Sequence, residues 1–290
     1  IIKLLVSHSK KLGVKILTNN EVIGFNFSKD NNIDEILIKD LPSIQDVSYL
    51  ISCNDYHNTE LLLPTKYQSY NINYWNRLEM CPDVLLFHLS LDIEVKKLYF
   101  HNLFFDPFEF YVNRTSAELN TAPVGCDTLF ILIPFIKNLD KSDEDLYELV
   151  LDKISLLCEV NIRDYIKLKR KFKNECFTKR FNAFRGNAYG LACNFNQIAI
   201  FRPSIKSMKI NNLYFGGQMT NPGPGIPPCM VSGIVSSEQL FRDIKEKKRL
   251  LNISRKEHLE ISDLFYYAYI YLRGFILYTT HVLRMLSRFF

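Results

Sequence analysis

The sequence predicts a mixed α/β fold, on three observations. Short apolar or alternating segments typical of β-strands recur along the 290 residues. Segments with apolar residues at helical spacing lie between these strands. Towards the C-terminal end, a short apolar strand leads through a glycine- and proline-rich loop into a helix. Strands and helices mixed in this way predict layers of both kinds around a common core.

Composition limits the classes of protein that this chain can belong to. Hydrophobic residues make up 47% and charged residues 23% of the sequence. A disordered protein is excluded, because such a chain buries too little apolar surface to offset the entropy of ordering. The net charge of +5 is mild. No zinc-finger or RNA-recognition signature accompanies it, so we do not expect a nucleic-acid partner.

The first sixty residues are predicted to contain one helix and four strands. The helix covers residues 2–11, where apolar residues alternate with lysines at helical spacing. The predicted strands are Val14–Leu17, Val22–Phe27, Ile36–Ile38 and Val47–Cys53. The last of these is nearly all apolar towards its end, so we expect it to be buried in a sheet.

The middle of the chain is predicted to be α+β. Val84–Leu91 and Thr128–Pro134 have the composition of strands. Ser142 is a predicted N-cap, because three acidic residues follow it in the first helical turn, where the helix dipole favours negative charge. The apolar face of this helix is predicted to consist of Leu146, Leu149, Val150, Ile154 and Leu157.

The most informative segment joins the predicted strand Leu213–Phe215 to a predicted helix over 230–241. Five of the 11 glycines of the chain lie in or directly after the connecting loop. Glycine lets a ligand approach the backbone closely, and a helix N-terminus stabilises an anion or an electron-rich carbonyl. The segment therefore predicts a ligand-binding loop, although a rigid turn before an ordinary helix would produce the same pattern.

Other features carry weaker predictions. The seven cysteines include no Cys-x-x-Cys pair and no Cys/His cluster with zinc spacing, so we expect no metal site, and we expect reduced, mostly buried thiols in a cytoplasmic protein. The basic runs at 167–173 and 245–249 are typical of solvated surfaces.

The apolar and aromatic stretch at 264–290 contains three arginines. We expect a helix lying in a membrane interface there, with a core or dimer-packing helix as the alternative.

Several separated segments resemble the bacterial-type phytoene desaturases, in the order in which that family has them. The most specific is 212–228, which is similar to the family's C-terminal flavin motif. The other similar segments are 1–22, Ile51–Glu60, Tyr74–Trp75, His101–Asp106, Arg185–Leu191 and Phe201–Pro203. The resemblance covers residues 1 to 242 and is specific, because motifs far apart in the sequence agree.

This resemblance implies a particular domain order. An α+β substrate-binding domain, residues 61–180, would be inserted into an incomplete Rossmann-like FAD domain of the amine oxidase or glutathione reductase type. Residues 1–60 and 181–243 would form the FAD domain. Residues 244–290 lie outside the resemblance, and from their composition alone we expect a basic, aromatic helical extension that could anchor the protein at a membrane interface.

The resemblance also implies an activity. FAD-dependent desaturation would transfer a hydride from phytoene, or a related carotenoid, to the flavin and release a proton. The protein would be cytoplasmic and peripherally attached to a membrane lipid surface, with homo-oligomerisation left open. The cofactor-binding residues carried over from the family are Val22 at the adenine, Gln218 at the ribityl chain, Gly217, and Gly225, Ile226 and Pro227 at the flavin.

Other candidate site residues are less specific. Arg185 and Tyr189 either line the flavin or substrate mouth or anchor their loop. Asp55 and His57 follow a strand end and are expected to serve local structure before catalysis. His88 is expected to be a core histidine, and we identify no catalytic base.

The sequence departs from the family in one respect. It contains no Gly-x-Gly-x-x-Gly turn, the element that holds the cofactor pyrophosphate in dinucleotide-binding folds. We therefore expect the chain to be the C-terminal part of a longer enzyme. The alternatives are a related flavin carotenoid isomerase or oxidase, or a non-catalytic truncated remnant that cannot hold FAD alone.

Overall fold

The computed structural model describes residues 1–134 and 141–253. Its helices are α1 (Ile2–Lys11), α2 (Tyr56–Leu61), α3 (Ile72–Arg77), α4 (Asp143–Cys158), α5 (Asn174–Phe181) and α6 (Ile226–Ile253). Its strands are β1 (Val22–Phe27), β2 (Ile33–Ile38), β3 (Leu50–Ser52), β4 (Val84–Leu91), β5 (His101–Phe104), β6 (Phe110–Arg114), β7 (Asp127–Pro134), β8 (Ile166–Phe172) and β9 (Leu213–Phe215).

The N-terminal segment is a helix followed by an antiparallel hairpin of β1 and β2. The predicted helix at 2–11 is confirmed, although none of its residues is buried. The predicted strand Val14–Leu17 is wrong, since these residues form no regular element. A strand needs a hydrogen-bonded neighbour, and Val14, Ile16 and Leu17 lie exposed with no ladder partner in the described part of the chain.

Two short parallel strands bring together distant parts of the chain. Leu50 pairs with Leu213 and Ser52 with Phe215, so β3 and β9 form a two-stranded sheet. The side chain of Asn212, which is buried, accepts from the Ile33 amide at 2.8 Å and donates to the Ile33 carbonyl at 2.8 Å. It also lies 3.2 Å from the Val47 carbonyl. The strand predicted over 47–53 is therefore shorter than expected. The Asn212 side chain bonds the Val47 carbonyl, which a neighbouring strand would otherwise bond.

The middle of the chain forms a five-stranded antiparallel sheet in the order β5-β6-β7-β4-β8. One face packs on α4, and this core includes Phe87, Leu89, Ile131, Val150 and Ile154. The predicted N-cap is confirmed: Ser142 forms a reciprocal capping box with Asp145.

The prediction of a core histidine at position 88 is wrong. Alternate residues of β4 point to opposite faces of the sheet, and Leu85, Phe87, Leu89 and Leu91 form the set that faces the core, while Val84 is also buried at the start of the strand. His88 belongs to the other set and is exposed.

A second core consists mainly of aromatic rings. The ring of Tyr56 stacks on Phe215 with centroids 3.7 Å apart, and it contacts Trp75 at 5.6 Å. The carboxylate of Glu60 lies in this core and accepts from the Ser69 amide at 2.7 Å and the Trp75 indole at 3.1 Å. Burial raises the pKa of Glu60. This cluster supports β9 at the point where the glycine-rich loop begins.

The C-terminal helix is longer than predicted, extending from Ile226 to Ile253. The chain divides into a compact unit over Ile1–Ser237 and a second over Glu238–Phe290. In the described residues, no helix combines the length and hydropathy needed to span a bilayer. The predicted interfacial helix at 264–290 lies outside the described residues.

All seven cysteines carry free thiols. The expectation that most are buried is wrong, because Cys53 and Cys193 are exposed and the other five are half-buried. Cys53 directly follows strand β3, and Cys193 comes two residues after the isolated β-bridge at Leu191. Both residues therefore lie at the start of loops.

The sheet contains one buried ion pair whose loss we expect to be costly. Asp127 is 1% exposed and accepts from the Val95 amide at 2.6 Å and from Arg114 Nε at 2.8 Å. Asp127→Asn should lower the free energy of unfolding by about 3 kcal/mol, because it removes the negative charge that pairs with Arg114 and turns one of two acceptor oxygens into an NH2 group facing other donors. Urea denaturation measures this loss. Asp152→Asn, which removes an exposed partner of Arg163, should cost less than about 1 kcal/mol; equal losses would contradict the assignment.

Candidate functional site

The loop between β9 and α6 depends on three glycines. Gly217, Gly223 and Gly225 have φ values of 105°, 129° and 108°, a region that side chains disfavour. The Gly217 amide donates to Ser232 Oγ at 2.7 Å, and the Gly225 carbonyl accepts from the Cys229 amide at 2.9 Å. The loop is therefore attached at both of its ends to the first turns of α6.

The start of α6 offers fewer amides than the sequence suggests. Pro227 and Pro228 have no amide hydrogen, so among residues 226–228 only Ile226 can donate. Ile226 is exposed, and Gly225, which precedes it, has a φ of 108°. Any attraction of this helix end for negative charge thus comes from the helix dipole and from the few amides around Ile226.

A buried arginine lies beneath the loop. Arg202 Nη1 donates to the Gln218 carbonyl at 3.1 Å, and Nη2 donates to the Leu191 carbonyl at 3.3 Å. A Cβ atom on Gly223 would lie 3.1 Å from Arg202 Nη2, so the guanidinium packs directly on this glycine. Within residues 1–134 and 141–253, Arg202 Nε has no partner and no carboxylate pairs with the guanidinium. A positive charge without a counter-charge in these residues therefore lies next to the glycine loop.

A second loop, residues 184–191, contacts the first. Asn187 Oδ1 accepts from Gln218 Nε2 at 2.7 Å and from the Gly190 amide at 2.8 Å. A Cβ atom on Gly190 would lie 3.2 Å from the Gln218 side chain, so only glycine allows this approach. The side chain of Gln218 is thus fixed between the two loops.

Two residues of the second loop were predicted to line the site or to anchor the loop. Arg185 donates to the carbonyls of Leu78 and Asn76, both at 3.2 Å, which is an anchoring arrangement. Tyr189 is 39% exposed, and burial of the rest of its ring raises its pKa. Arg185 thus anchors its loop, whereas Tyr189 keeps part of its ring exposed to solvent.

Asp55 and His57 lie on the other side of this loop. Asp55 caps α2 by accepting from the Asn58 amide at 3.2 Å, and it accepts from the Phe184 amide at 3.1 Å. The ring of His57 lies 4.0 Å from that of Phe184. Burial lowers the pKa of His57, an effect that Asp55 opposes and Arg185 assists. The surroundings of His57 thus favour the neutral imidazole.

A cavity of about 600 Å³ extends along β1 and β3. Its lining includes Val22, Cys53 and Asn54. Gly217 does not line this cavity, but a Cβ atom on Gly217 would lie 3.8 Å from the carbonyl oxygen of Cys53. Of the predicted cofactor residues, Val22 therefore lines the cavity, and Gly217 lies next to Cys53, one of the lining residues.

Three residues of this site escaped prediction as functional. Arg202 and Asn187 stand in motifs that the sequence singles out, but nothing in the sequence shows that they join the two loops. Ser232 lies inside a helix, where serine is usually unremarkable. Among the described residues, no three His, Cys, Asp or Glu side chains are grouped so that they could hold a metal ion.

Two glycines near the loop should respond in opposite ways to alanine. Gly223→Ala should lower the free energy of unfolding by about 2 kcal/mol, because alanine is strained at this φ and its methyl group would press on Arg202. Gly233→Ala is the matched control in α6, where no atom lies within 4 Å of the added Cβ. It should stabilise the protein by about 0.5–1 kcal/mol. Thermal denaturation measures both, and a neutral Gly223→Ala would contradict the packing of Arg202 on the loop.

Known proteins are similar to this chain in sequence. No protein-family model matches the chain. It is 29% identical to carotenoid 3,4-desaturase of Haloarcula japonica over 262 residues, which cover 83% of this chain and 52% of that protein. It is 32% identical to zeta-carotene-forming phytoene desaturase of Myxococcus xanthus over 143 residues, 47% of this chain and 28% of that protein. The chain spans at most about half the length of these curated relatives.

Solved structures share the fold at low identity. The putative protoporphyrinogen oxidase of Exiguobacterium sp. 255-15 has a TM-score of 0.56 and 13% identity, covering 84% of this chain and 51% of that one. Putrescine oxidase has the same TM-score with 11% identity, covering 82% of this chain and 52% of that one. The predicted α/β fold is confirmed. The chain is thus similar in sequence to carotenoid 3,4-desaturase over most of its length, and its fold is similar to that of about half of each of these two oxidases.

Proposed function

We propose that the chain takes part in FAD-dependent desaturation of phytoene or a related carotenoid. The observation that carries this proposal is the glycine loop packed on the buried Arg202, in a chain similar to carotenoid 3,4-desaturase over 83% of its length. Residues 1–60 and 181–243 would form its cofactor-binding part. The sheet between them would form the part that receives the substrate.

The residues around the loop fit a flavin dinucleotide in three respects. The left-handed glycines remove side chains where a flat ring system would approach the backbone. The uncompensated guanidinium of Arg202 favours an electron-rich group nearby. The cavity lined by Val22 and Cys53 has a volume of about 600 Å³ and a partly apolar lining, which suits an adenine. Val22, Gly217, Gln218, Gly225, Ile226 and Pro227 are the residues that we assign to it.

In the proposed reaction the protein acts mainly by electrostatics and positioning. FAD, when bound, supplies the acceptor for a hydride. The buried Arg202 stabilises negative charge at the loop with little screening by solvent, and the dipole of α6, whose first residues are exposed, adds to it more weakly. Gln218, held by Asn187 and Arg202, keeps the loop in one conformation while charge develops.

Proton removal is not assigned to a residue. Asp55 is occupied by hydrogen bonds from Asn58, Phe184 and Asn187, so its oxygens hold the loop in place rather than accept a proton. The carotenoid itself has no polar handle, so its binding must rest on apolar contact alone. Delivery of such a substrate requires a lipid surface, and we propose peripheral membrane association for this reason.

Reconstitution tests the proposal directly. The purified chain is incubated with FAD, desalted and examined for bound flavin absorbance, and then incubated with phytoene in lipid vesicles. We expect a flavin spectrum and a product with red-shifted absorption. A colourless protein would overturn FAD-dependent catalysis by this chain alone. Bound flavin with an isomerised or oxygenated product would instead assign the related isomerase or oxidase reaction.

A pair of glycine variants locates the cofactor. Gly217→Ala should weaken FAD binding about ten-fold or more, because the methyl group would enter the space between the loop and Cys53. Gly125→Ala introduces similar backbone strain, at φ 82°, in open space on a loop of the sheet domain. Flavin fluorescence titration should show unchanged affinity for this control. Equal affinities of the two variants would remove Gly217 from the cofactor site.

A further inference from the structure

Two cysteine thiols and the buried Arg202 meet around the carbonyl oxygen of Leu191. The thiol of Cys81 donates to this oxygen at 3.2 Å, and Arg202 Nη2 donates to it at 3.3 Å. The same nitrogen also donates to Cys193 Sγ at 3.5 Å. A guanidinium group is thus in direct contact with the sulfur atom of Cys193.

The guanidinium of Arg202 is suited to stabilise an anion at this sulfur. Arg202 is 4% exposed, and its Nε atom has no hydrogen-bond partner within residues 1–134 and 141–253. Its Nη atoms donate to the neutral carbonyl groups of Gln218 and Leu191. A buried positive charge without a counter-charge in these residues favours the thiolate over the thiol at a sulfur that it contacts.

A second buried polar atom without a partner belongs to the residue that follows Cys193. Asn194 Nδ2 donates to Glu79 Oε2 at 2.7 Å, but Asn194 Oδ1 has no donor among the described residues. Buried polar atoms are nearly always hydrogen-bonded, so an unpaired acceptor on Asn194 and an unpaired donor on Arg202 point to a small polar ligand. Such a ligand would both donate and accept hydrogen bonds.

Cys193 combines the contact with Arg202 with access from solvent, since it is one of two exposed cysteines. Cys81 is half-buried, and burial raises its pKa, an effect that Cys193 strengthens and Arg202 opposes. Cys53 is also exposed, but its sulfur lies 3.4 Å from the position of a Cβ atom on Gly216, and burial raises its pKa. The surroundings of Cys81 and Cys53 therefore favour the protonated thiol, which is the weaker nucleophile.

We propose that Cys193 is a site of oxidation by hydroperoxides, with Arg202 stabilising the reactive thiolate. With hydrogen peroxide, the sulfur attacks one oxygen, so a sulfur–oxygen bond forms while the oxygen–oxygen bond breaks. Two electrons pass from the sulfur to the peroxide. The second oxygen leaves as hydroxide, which takes up a proton and becomes water, and Cys193 becomes a sulfenic acid. The reaction requires no flavin and is therefore independent of the proposed desaturation.

Oxidation of Cys193 would affect the glycine loop through Arg202. The guanidinium donates to the Gln218 carbonyl and packs on Gly223. A sulfenic acid adds an oxygen beside this guanidinium, and that oxygen competes with the backbone carbonyls for the same N–H groups. The oxidation state of Cys193 is thereby linked to how firmly Arg202 holds the loop.

Peroxide oxidation of the whole chain tests the site. After timed treatment with hydrogen peroxide, dimedone labels sulfenic acids, a maleimide labels the remaining thiols, and mass spectrometry of peptides gives the rate at each cysteine. The maleimide also counts any sulfenic acid that reacts further. Cys193 should be oxidised about ten times faster than Cys53, the matched exposed cysteine. Equal rates at these two cysteines, or faster oxidation of Cys53, would overturn the proposal.

Two variants test the part that Arg202 plays. Arg202→Gln removes the positive charge and should slow oxidation of Cys193 about ten-fold while the rate at Cys53 stays unchanged. Arg202→Lys retains a positive charge and should keep most of the rate. Unchanged oxidation of Cys193 in Arg202→Gln would remove Arg202 from the proposal, provided that half-buried Cys81 stays as slow as in the original chain. Rapid oxidation of Cys81 would reveal an unfolded variant, and the comparison of Cys193 with Cys53 in the original chain then decides.

Discussion

The side chain of Asn212 is the contact on which the arrangement of the candidate site most depends. It bonds both backbone groups of Ile33 and reaches the carbonyls of Val47 and Ser48. A buried backbone group that loses its partner costs about 1–3 kcal/mol, and this one amide serves several. Since Leu213 follows directly, the same contact sets the register of β9 against β3. The loop, Arg202 and the start of α6 are all positioned from that strand.

This constraint explains how a site can form from ends of the chain that are far apart in sequence. The antiparallel sheet and α4 have their own core, separate from the aromatic core around Tyr56 and Phe215. The intervening residues can therefore fold as a unit without disturbing the pairing of β3 with β9. Two loops then meet over this pairing, fastened by Asn187 and Arg202. The division into domains at residues 60, 180 and 243 stays a prediction.

Local patterns in the sequence predicted local structure well. Val84–Leu91 and the capped helix after Ser142 were recognised because alternation and capping are properties of neighbouring residues. Failures came where distant contacts decide the outcome. Residues 14–17 are apolar enough for a strand but have no partner, and the face on which His88 lies depends on which side α4 covers. Arg202 donates hydrogen bonds to the carbonyls of Gln218 and Leu191, which no local sequence pattern connects. The sequence therefore indicated the glycine loop but not the arginine that holds it in place.

The lysines of β8 affect whether this strand can pair with the sheet of a second molecule. Lys167, Lys169 and Lys171 each pair with an acidic residue, Asp92, Glu144 and Asp143 respectively. β8 is an edge strand, with free backbone groups that could pair with another sheet. A second sheet pairing with β8 would have to displace these lysines from their acidic partners or bury them, which costs free energy. The charged side chains along β8 thus oppose aggregation of the protein through this edge.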